Sequence, residues 1–272
     1  MQELVEQHRP SGLVLVAYCS DVERGRAALR AQADRVSGVD LIDLLVVDGH
    51  RWWSMRCTSG CCPPEGTPYA PDEHPLSSEA VWAGLVARPD RAAVVRTVAG
   101  PPEAEWEALR ERAGNLSAHL EGDSRSERQD ALGQAVVDAL PRVDPAVVDR
   151  AGRRLDDAAC LELALLVRET LVRDVACALV TTQDARRHLA LWQEVVGRTP
   201  PEMAAGPLCL AGVAAWAGGN GTVLNACCER LAALDPAYPM GRLLSDVSVR
   251  GLPPVWWDAM ADGLRRDLGL RT

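Results

Sequence analysis

Apolar positions follow two different rhythms along the chain. Up to residue 56 they come in short runs. Leu13-Val14-Leu15-Val16-Ala17-Tyr18 and the stretch Leu41 to Val47 have the length and branched content expected of buried strands. Between them Ala27, Ala28, Ala31 and Val36 recur at helical spacing among Glu23, Arg24, Arg26, Arg30 and Arg35, so the pattern predicts a helix opened by Asp21 and stopped by Gly38. Asp48-Gly49 is a hairpin turn signal, and His50 to Arg56 reads as the returning strand. The order is β-α-β-β. A helical crossover makes the first two strands parallel, and a hairpin makes the third antiparallel.

From Cys57 to Pro75 the rhythm stops: five prolines, two glycines and three cysteines predict a long loop, a type that more often carries function than short connections do. Helical spacing then takes over. Ser77 caps a predicted helix through Val86, while Ala92 to Val98 fits either a helix or a last strand. Pro101-Pro102 leads into a helix over Glu103 to Leu120, Ser126 with Gln129 forms a capping box for Glu127 to Leu140, and Asp144-Pro145 starts another. Asp156 to Val180 is apolar on nearly every face and is predicted as one central packed helix. Thr182 caps a helix through Val196. Short helices follow over Pro201 to Trp216, Thr222 to Leu234 and Pro239 to Val249, with a last one ending at Leu268. Gly212, Gly219 and Leu234-Asp235-Pro236 give residues 201–272 a likeness to tetratricopeptide-type hairpins. The predicted class is α/β with α+β character: a small mixed sheet with helices in residues 1–100, including the loop 57–75, then a helical region over 101–272.

Composition narrows the chemistry. The 272 residues contain no Phe, no Lys and a single Ile, Ile42, so all 29 positive charges are Arg. Without Lys there is no P-loop lysine, no Schiff-base lysine and no kinase-type phosphate lysine. The missing residue types share AT-rich codons, which points to a GC-rich genome. A net charge of −9 argues against a nucleic-acid partner, because phosphate binding needs clustered positive charge. The acidic start lacks the basic and apolar regions of a secretory signal, and no apolar run reaches about 18 residues, the length needed to span a bilayer. The expected location is therefore cytoplasmic, with no membrane contact. Nine cysteines, scattered or adjacent and odd in number, suit a reducing compartment.

The loop Arg56-Cys57-Thr58-Ser59-Gly60-Cys61-Cys62-Pro63-Pro64-Glu65-Gly66 is the one dense constellation of reactive side chains. Four readings stay open for it. Cys57, Cys61 and Cys62 could hold zinc with His50 or His74 as fourth ligand, although adjacent Cys61 and Cys62 do not readily reach one ion. A Cys57 to Cys62 disulfide conflicts with a reducing cytoplasm. One thiolate, its pKa lowered by Arg56, could act as a nucleophile with Glu65 nearby, but no histidine at a recognisable spacing completes a dyad. The loop could also be structural. Trp52 and Trp53 occupy adjacent strand positions and so point to opposite faces, one towards the core and one towards the loop or solvent. Asp48, and with it Asp21 and Asp43, lies where it could serve a site at the sheet edge, but turn and cap chemistry also accounts for Asp48 and Asp21. Glu169, Arg173 and Asp174 interrupt an apolar helix and read as an ion pair.

Val46 to Cys57, followed by Cys61-Cys62-Pro63-Pro64-Glu65-Gly66-Thr67-Pro68, resembles the signature of domain-of-unknown-function family 4192, a group of uncharacterised actinobacterial proteins. Leu171 to Asp174, Pro207 through Trp216, Leu234 to Tyr238 and Gly251 to Pro254 resemble other parts of the same family. The resemblance implies no activity. Its members carry more chain before the strand that matches Leu13 to Tyr18, so the expectation is a sheet with an uncovered edge that favours association. Two functions remain in view. The first is a binding or interaction module whose partner is another protein or a second copy. The second is an enzyme, or a ligand-binding or metal-binding protein, with its site under the cysteine loop.

Overall fold

A computed structural model describes residues 2–70, 73–82, 88–120, 122–143 and 155–270. The chain divides into two compact units, Met1–Val86 and Ala87–Thr272.

The first unit is built on β1 (Leu13–Tyr18), β2 (Leu41–Val47), β3 (Arg51–Ser54) and β4 (Thr67–Pro68), in the order β1-β2-β3-β4. β1 and β2 run parallel; β2 and β3, and then β3 and β4, run antiparallel. Helix α1 (Gln2–His8) precedes the sheet, α2 (Val22–Ala33) crosses over between β1 and β2, and α3 (Pro75–Trp82) follows β4. Asp21 caps α2 by accepting from the N–H of Arg24. Helix α2 lies on one face of the sheet, where Leu15, Leu29, Leu44 and Val46 form a small core. Gly25 allows the close approach, since a Cβ there would sit 2.6 Å from the Cys19 sulfur.

Only that face of β1 is buried. The run that reads as a buried strand leaves Val14 43%, Val16 42% and Tyr18 78% exposed, with Ile42 62% exposed beside them. The physical reason is the shortage of cover: alternation sends every second side chain to the face opposite α2.

The second unit is helical among its described residues. Its helices are α4 (Arg91–Arg96), α5 (Trp106–Leu120), α6 (Arg125–Val143), α7 (Asp157–Leu166), α8 (Thr170–Leu179), α9 (Ala185–Val196), α10 (Ala205–Ala217), α11 (Gly221–Leu234), α12 (Pro239–Val249) and α13 (Trp256–Asp267). The ambiguous segment around Ala92 to Val98 is thus the helix α4, capped by Asp90. It belongs with the helical unit, where Arg91 pairs with Glu229 and Arg230 donates to the Val98 carbonyl.

Several sequence expectations are revised. The single helix over Asp156 to Val180 is two, broken at Val167–Glu169. Tertiary contacts hold the break: the carbonyl of Val167 faces Gly206, where a Cβ would lie 2.7 Å away, and the Glu169 carboxylate takes Arg125 and Arg128 of α6. The central position belongs to α10, buried along Gly206 to Ala217, because its small side chains let neighbours approach from every side. The capping box at the start of α6 is Ser124 with Glu127, while Gln129 reaches across to the Leu171 carbonyl. Before α9 it is Thr181 and Asp184 that bond reciprocally, and Thr182 is held instead by both carboxylate oxygens of Asp258. Ser77 lies inside α3, and the predicted extension to Val86 and helix start at Asp144 fall outside the described residues.

His188 on α9 is fully buried, and neither ring nitrogen has a hydrogen-bond partner among the described residues. Asp184 Oδ1, at 3.8 Å, is too far to supply one. Burial pulls the imidazole pKa below 6.5, with Asp184 acting in the opposite sense. The unfolded chain therefore takes up a proton near pH 6.5 that the folded chain refuses, and stability falls as the pH drops through that value towards the lower folded pKa. Replacing His188 by Leu removes two unpaired buried nitrogens. Urea unfolding is expected to show a gain of about 1–2 kcal/mol at pH 7 and a weaker loss on going to pH 5. A destabilised variant with unchanged pH dependence would show that the ring is paired after all.

Candidate functional site

The cysteine loop is an excursion of the first unit that leaves the end of β3 and returns at β4. Its closure is set by the strand pairs Arg51 with Pro68 and Trp52 with Thr67, and extended by the Tyr69 N–H on the His50 carbonyl at 3.0 Å. The sequence reads 57–75 as one loop, but the two residues of β4 are a strand. Thr67-Pro68 carries no periodicity of its own, and pairing with β3 alone makes it one.

Two β3 side chains hold the loop. Trp53 lies towards the small core and donates its indole N–H to the Pro64 carbonyl at 3.1 Å. Gly66 makes that contact possible. A Cβ there would fall 2.4 Å from the indole, and its φ of +86° suits glycine. Arg51 Nη1 donates to the carbonyls of Gly66 at 2.9 Å and Glu65 at 3.3 Å. Trp52, on the opposite face, lies across from Val47 and Thr67 in the sheet.

Between these clamps Cys57, Cys61 and Cys62 bring their sulfurs within 4.8 Å of one another. The sulfurs of adjacent Cys61 and Cys62 thus lie close together, which their adjacency in sequence makes hard to expect. Gly60, at φ +71°, reverses the chain so that Cys61 folds back over Cys57, with the two sulfurs 3.5 Å apart. Ser59, which sequence reasoning passed over, sits between them, with its hydroxyl 3.2 Å from the Cys61 sulfur and 3.7 Å from that of Cys57. The signal was present as a hydroxyl spaced two residues from each thiol. All three thiols are free and at least partly exposed.

Hydrogen bonding separates the acidities of Cys57 and Cys62. The Cys57 pKa is lowered from 9.0 to about 6 because its sulfur accepts from the Ser59 hydroxyl, the Cys62 and Cys61 thiols and the Cys62 N–H. The Cys62 thiol, as donor to Cys57, is pushed up to about 11, with burial adding to the effect. Arg56 is not among these donors. Its guanidinium donates to the Leu41 carbonyl at the far end of β2.

The other candidates stand apart. Asp48 Oδ1 accepts from the N–H groups of His50 at 2.9 Å and Arg51 at 2.7 Å, which closes the hairpin turn and lowers its pKa. Asp43 takes the Ser54 hydroxyl and the Leu44 N–H. Glu65 is exposed and anchors the loop through its carbonyl. Exposed His50 and His74 lie outside the three-sulfur group, and His74 Nδ1 accepts from the Leu76 N–H at the start of α3.

A family model described as domain of unknown function (DUF4192) matches residues 1–255. The chain belongs to that family. No curated protein and no solved structure matches it. Two of the stretches that carry the family likeness meet in the helical unit of this member. Arg173 Nη1 donates to the Tyr238 hydroxyl at 2.8 Å, and its Nε and Nη2 both donate to Asp174. The expected ion pairing is thus present in two forms, Arg173 with Asp174 on its own helix and Glu169 across to Arg125 and Arg128 of α6. Residues beyond the matched range are also built in: Trp257 donates to the Val180 carbonyl and Arg265 to that of Ala178, tying α13 to the end of α8. No helix among the described residues is long and apolar enough to cross a membrane.

Proposed function

We propose that the protein is a binding module whose site is the cysteine loop, and that Cys57, Cys61 and Cys62 together hold one soft metal ion such as zinc or monovalent copper. The observation that carries this is the cluster of three sulfurs within 4.8 Å on a doubly clamped loop. Metal–sulfur bonds of about 2.3 Å place the sulfurs of one coordination sphere about 4 Å apart, so little movement is needed. Thiolates favour ions of this class over magnesium or calcium. Binding must displace the proton of Cys62, whose pKa is pushed up to about 11, while Cys57 at about 6 is ready at neutral pH. Affinity therefore rises with pH. Titration of the reduced protein with cadmium, followed by sulfur-to-metal charge-transfer absorption, is expected to saturate at one ion per chain and to be competed by zinc. Each single change to Ser at the three positions weakens it strongly. Absorption that never develops, or that survives the triple change, overturns the reading.

A second reading, association with another copy of the chain, is favoured by the open face of the sheet. β1 is an end strand of the four, and Val14, Val16 and Tyr18 stand exposed along it. Sedimentation velocity is expected to show a dimer that Val16→Glu dissociates. A monomer at every accessible concentration rejects this reading.

A further inference from the structure

The loop holds a second chemistry that needs no ion. The Cys57 and Cys61 sulfurs, at 3.5 Å, are nearer than an ion's coordination sphere requires, and a disulfide bond of about 2.05 Å is reached by a modest approach of the two side chains. Only Thr58, Ser59 and Gly60 separate them, and Gly60 already makes the reversal that ring closure demands. Cys61 is exposed and Cys57 partly so, which lets a small oxidant in. Of the six cysteines outside the loop, Cys160, Cys177, Cys209 and Cys227 are buried, and Cys19 and Cys228 are half-buried.

We propose that Cys57 is a hydroperoxide-reactive thiol and that Cys61 resolves it, so that the loop closes into a reversible disulfide. The Cys57 thiolate attacks one oxygen of hydrogen peroxide; the S–O bond forms, the O–O bond breaks, and the departing hydroxide takes a proton from solvent as water. Cys57 is oxidised to the sulfenic acid and the peroxide is reduced. The Cys61 sulfur then attacks that of Cys57, the S–S bond forms, and the hydroxide released from the sulfenic acid leaves with the Cys61 proton as a second water. A thiol reductant reverses the result by exchange. The Ser59 hydroxyl, between both sulfurs, is placed to donate to whichever carries the negative charge. Closure leaves Cys62 as the one thiol of the loop, so oxidation and the ion proposed above draw on the same sulfurs.

The full chain, reduced and then exposed to stoichiometric hydrogen peroxide, can be alkylated and cut after Arg. Because Arg88 precedes Pro89, cleavage at Arg56 and Arg91 releases residues 57–91 as one peptide holding all three loop cysteines. The expected product is that peptide with a Cys57–Cys61 bridge and one alkylated thiol at Cys62. Cys62→Ser is expected to form the same bridge, whereas Cys57→Ser is expected to form none and to consume peroxide several-fold more slowly. Absence of the bridge in both the native chain and Cys62→Ser, or undiminished peroxide consumption by Cys57→Ser, overturns the inference. The outcomes separate the two uses of the loop. A bridge that forms in a chain that never binds cadmium rejects only the metal reading, and one-to-one cadmium binding without a bridge rejects only this one.

Discussion

Alkylation of the reduced protein by iodoacetamide across a pH series is expected to show Cys57 reacting with a midpoint at about 6, while Cys62 reaches its midpoint only at about 11. Two thiols of one loop are driven apart because they share a proton: Cys62 donates to Cys57, which stabilises the Cys57 anion and raises the cost of ionising Cys62 next to it. The gain in rate is smaller than the shift suggests. At pH 7 the lower pKa means about 90-fold more thiolate than an ordinary thiol has, but lower basicity weakens the nucleophile about 20-fold to 30-fold, leaving an advantage of several-fold. Ser59→Ala removes the first of the donors to Cys57 and is expected to move its midpoint upward, towards the ordinary 9.0. One common midpoint near 9 for Cys57 and Cys62 would show that the hydrogen bonds around Cys57 do not form in solution.

Replacing Arg173 by Met is expected to cost about 3–5 kcal/mol in urea unfolding, the range found when one partner of a buried ion pair is removed. Arg173 is 5% exposed, on a helix otherwise packed into the apolar core. Three of its donor groups are engaged by Asp174 and Tyr238, and the guanidinium lies 5.7 Å from the tyrosine ring centre. Without it the half-buried Asp174 loses its counter-charge and the Tyr238 hydroxyl its donor. Tyr238→Phe leaves one Arg173 donor unmatched and is expected to cost about 1–3 kcal/mol. The comparison that gives these values meaning is Arg91→Met. That ion pair with Glu229 is exposed at both ends, and its loss is expected to cost less than about 1 kcal/mol. Similar small losses for Arg173 and Arg91 would mean that the Arg173 cluster is solvated.

Local chemistry was legible wherever a feature is decided by neighbours in sequence. Asp21 caps α2, Asp48-Gly49 turns the hairpin, and Trp52 and Trp53 part to opposite faces, because caps, turns and strand alternation act over a few residues. The Cys57-Cys61-Cys62 loop stands out from sequence for a similar reason: its density of thiols is a local fact. What those thiols do to one another was not legible. It depends on the reversal at Gly60 and on Ser59, while the Arg56 guanidinium reaches a carbonyl on another strand.

The sequence by itself determined the order β1-α2-β2-β3 in the first unit, the parallel and antiparallel sense of those strands, and the helical character of the remainder. Periodicity and turn residues encode these directly. Only the tertiary structure decided that Asp156 to Val180 breaks in two, that α10 takes the central place, and that β1 is buried on one face alone. Each depends on what packs against the segment. An apolar helix carries no mark of where one of its own carbonyls will face a distant glycine and the helix break, and an apolar strand carries none of how many helices will cover it. The tertiary structure likewise drew Arg173 and Tyr238, 65 residues apart, into one hydrogen bond, a meeting that no local pattern could announce.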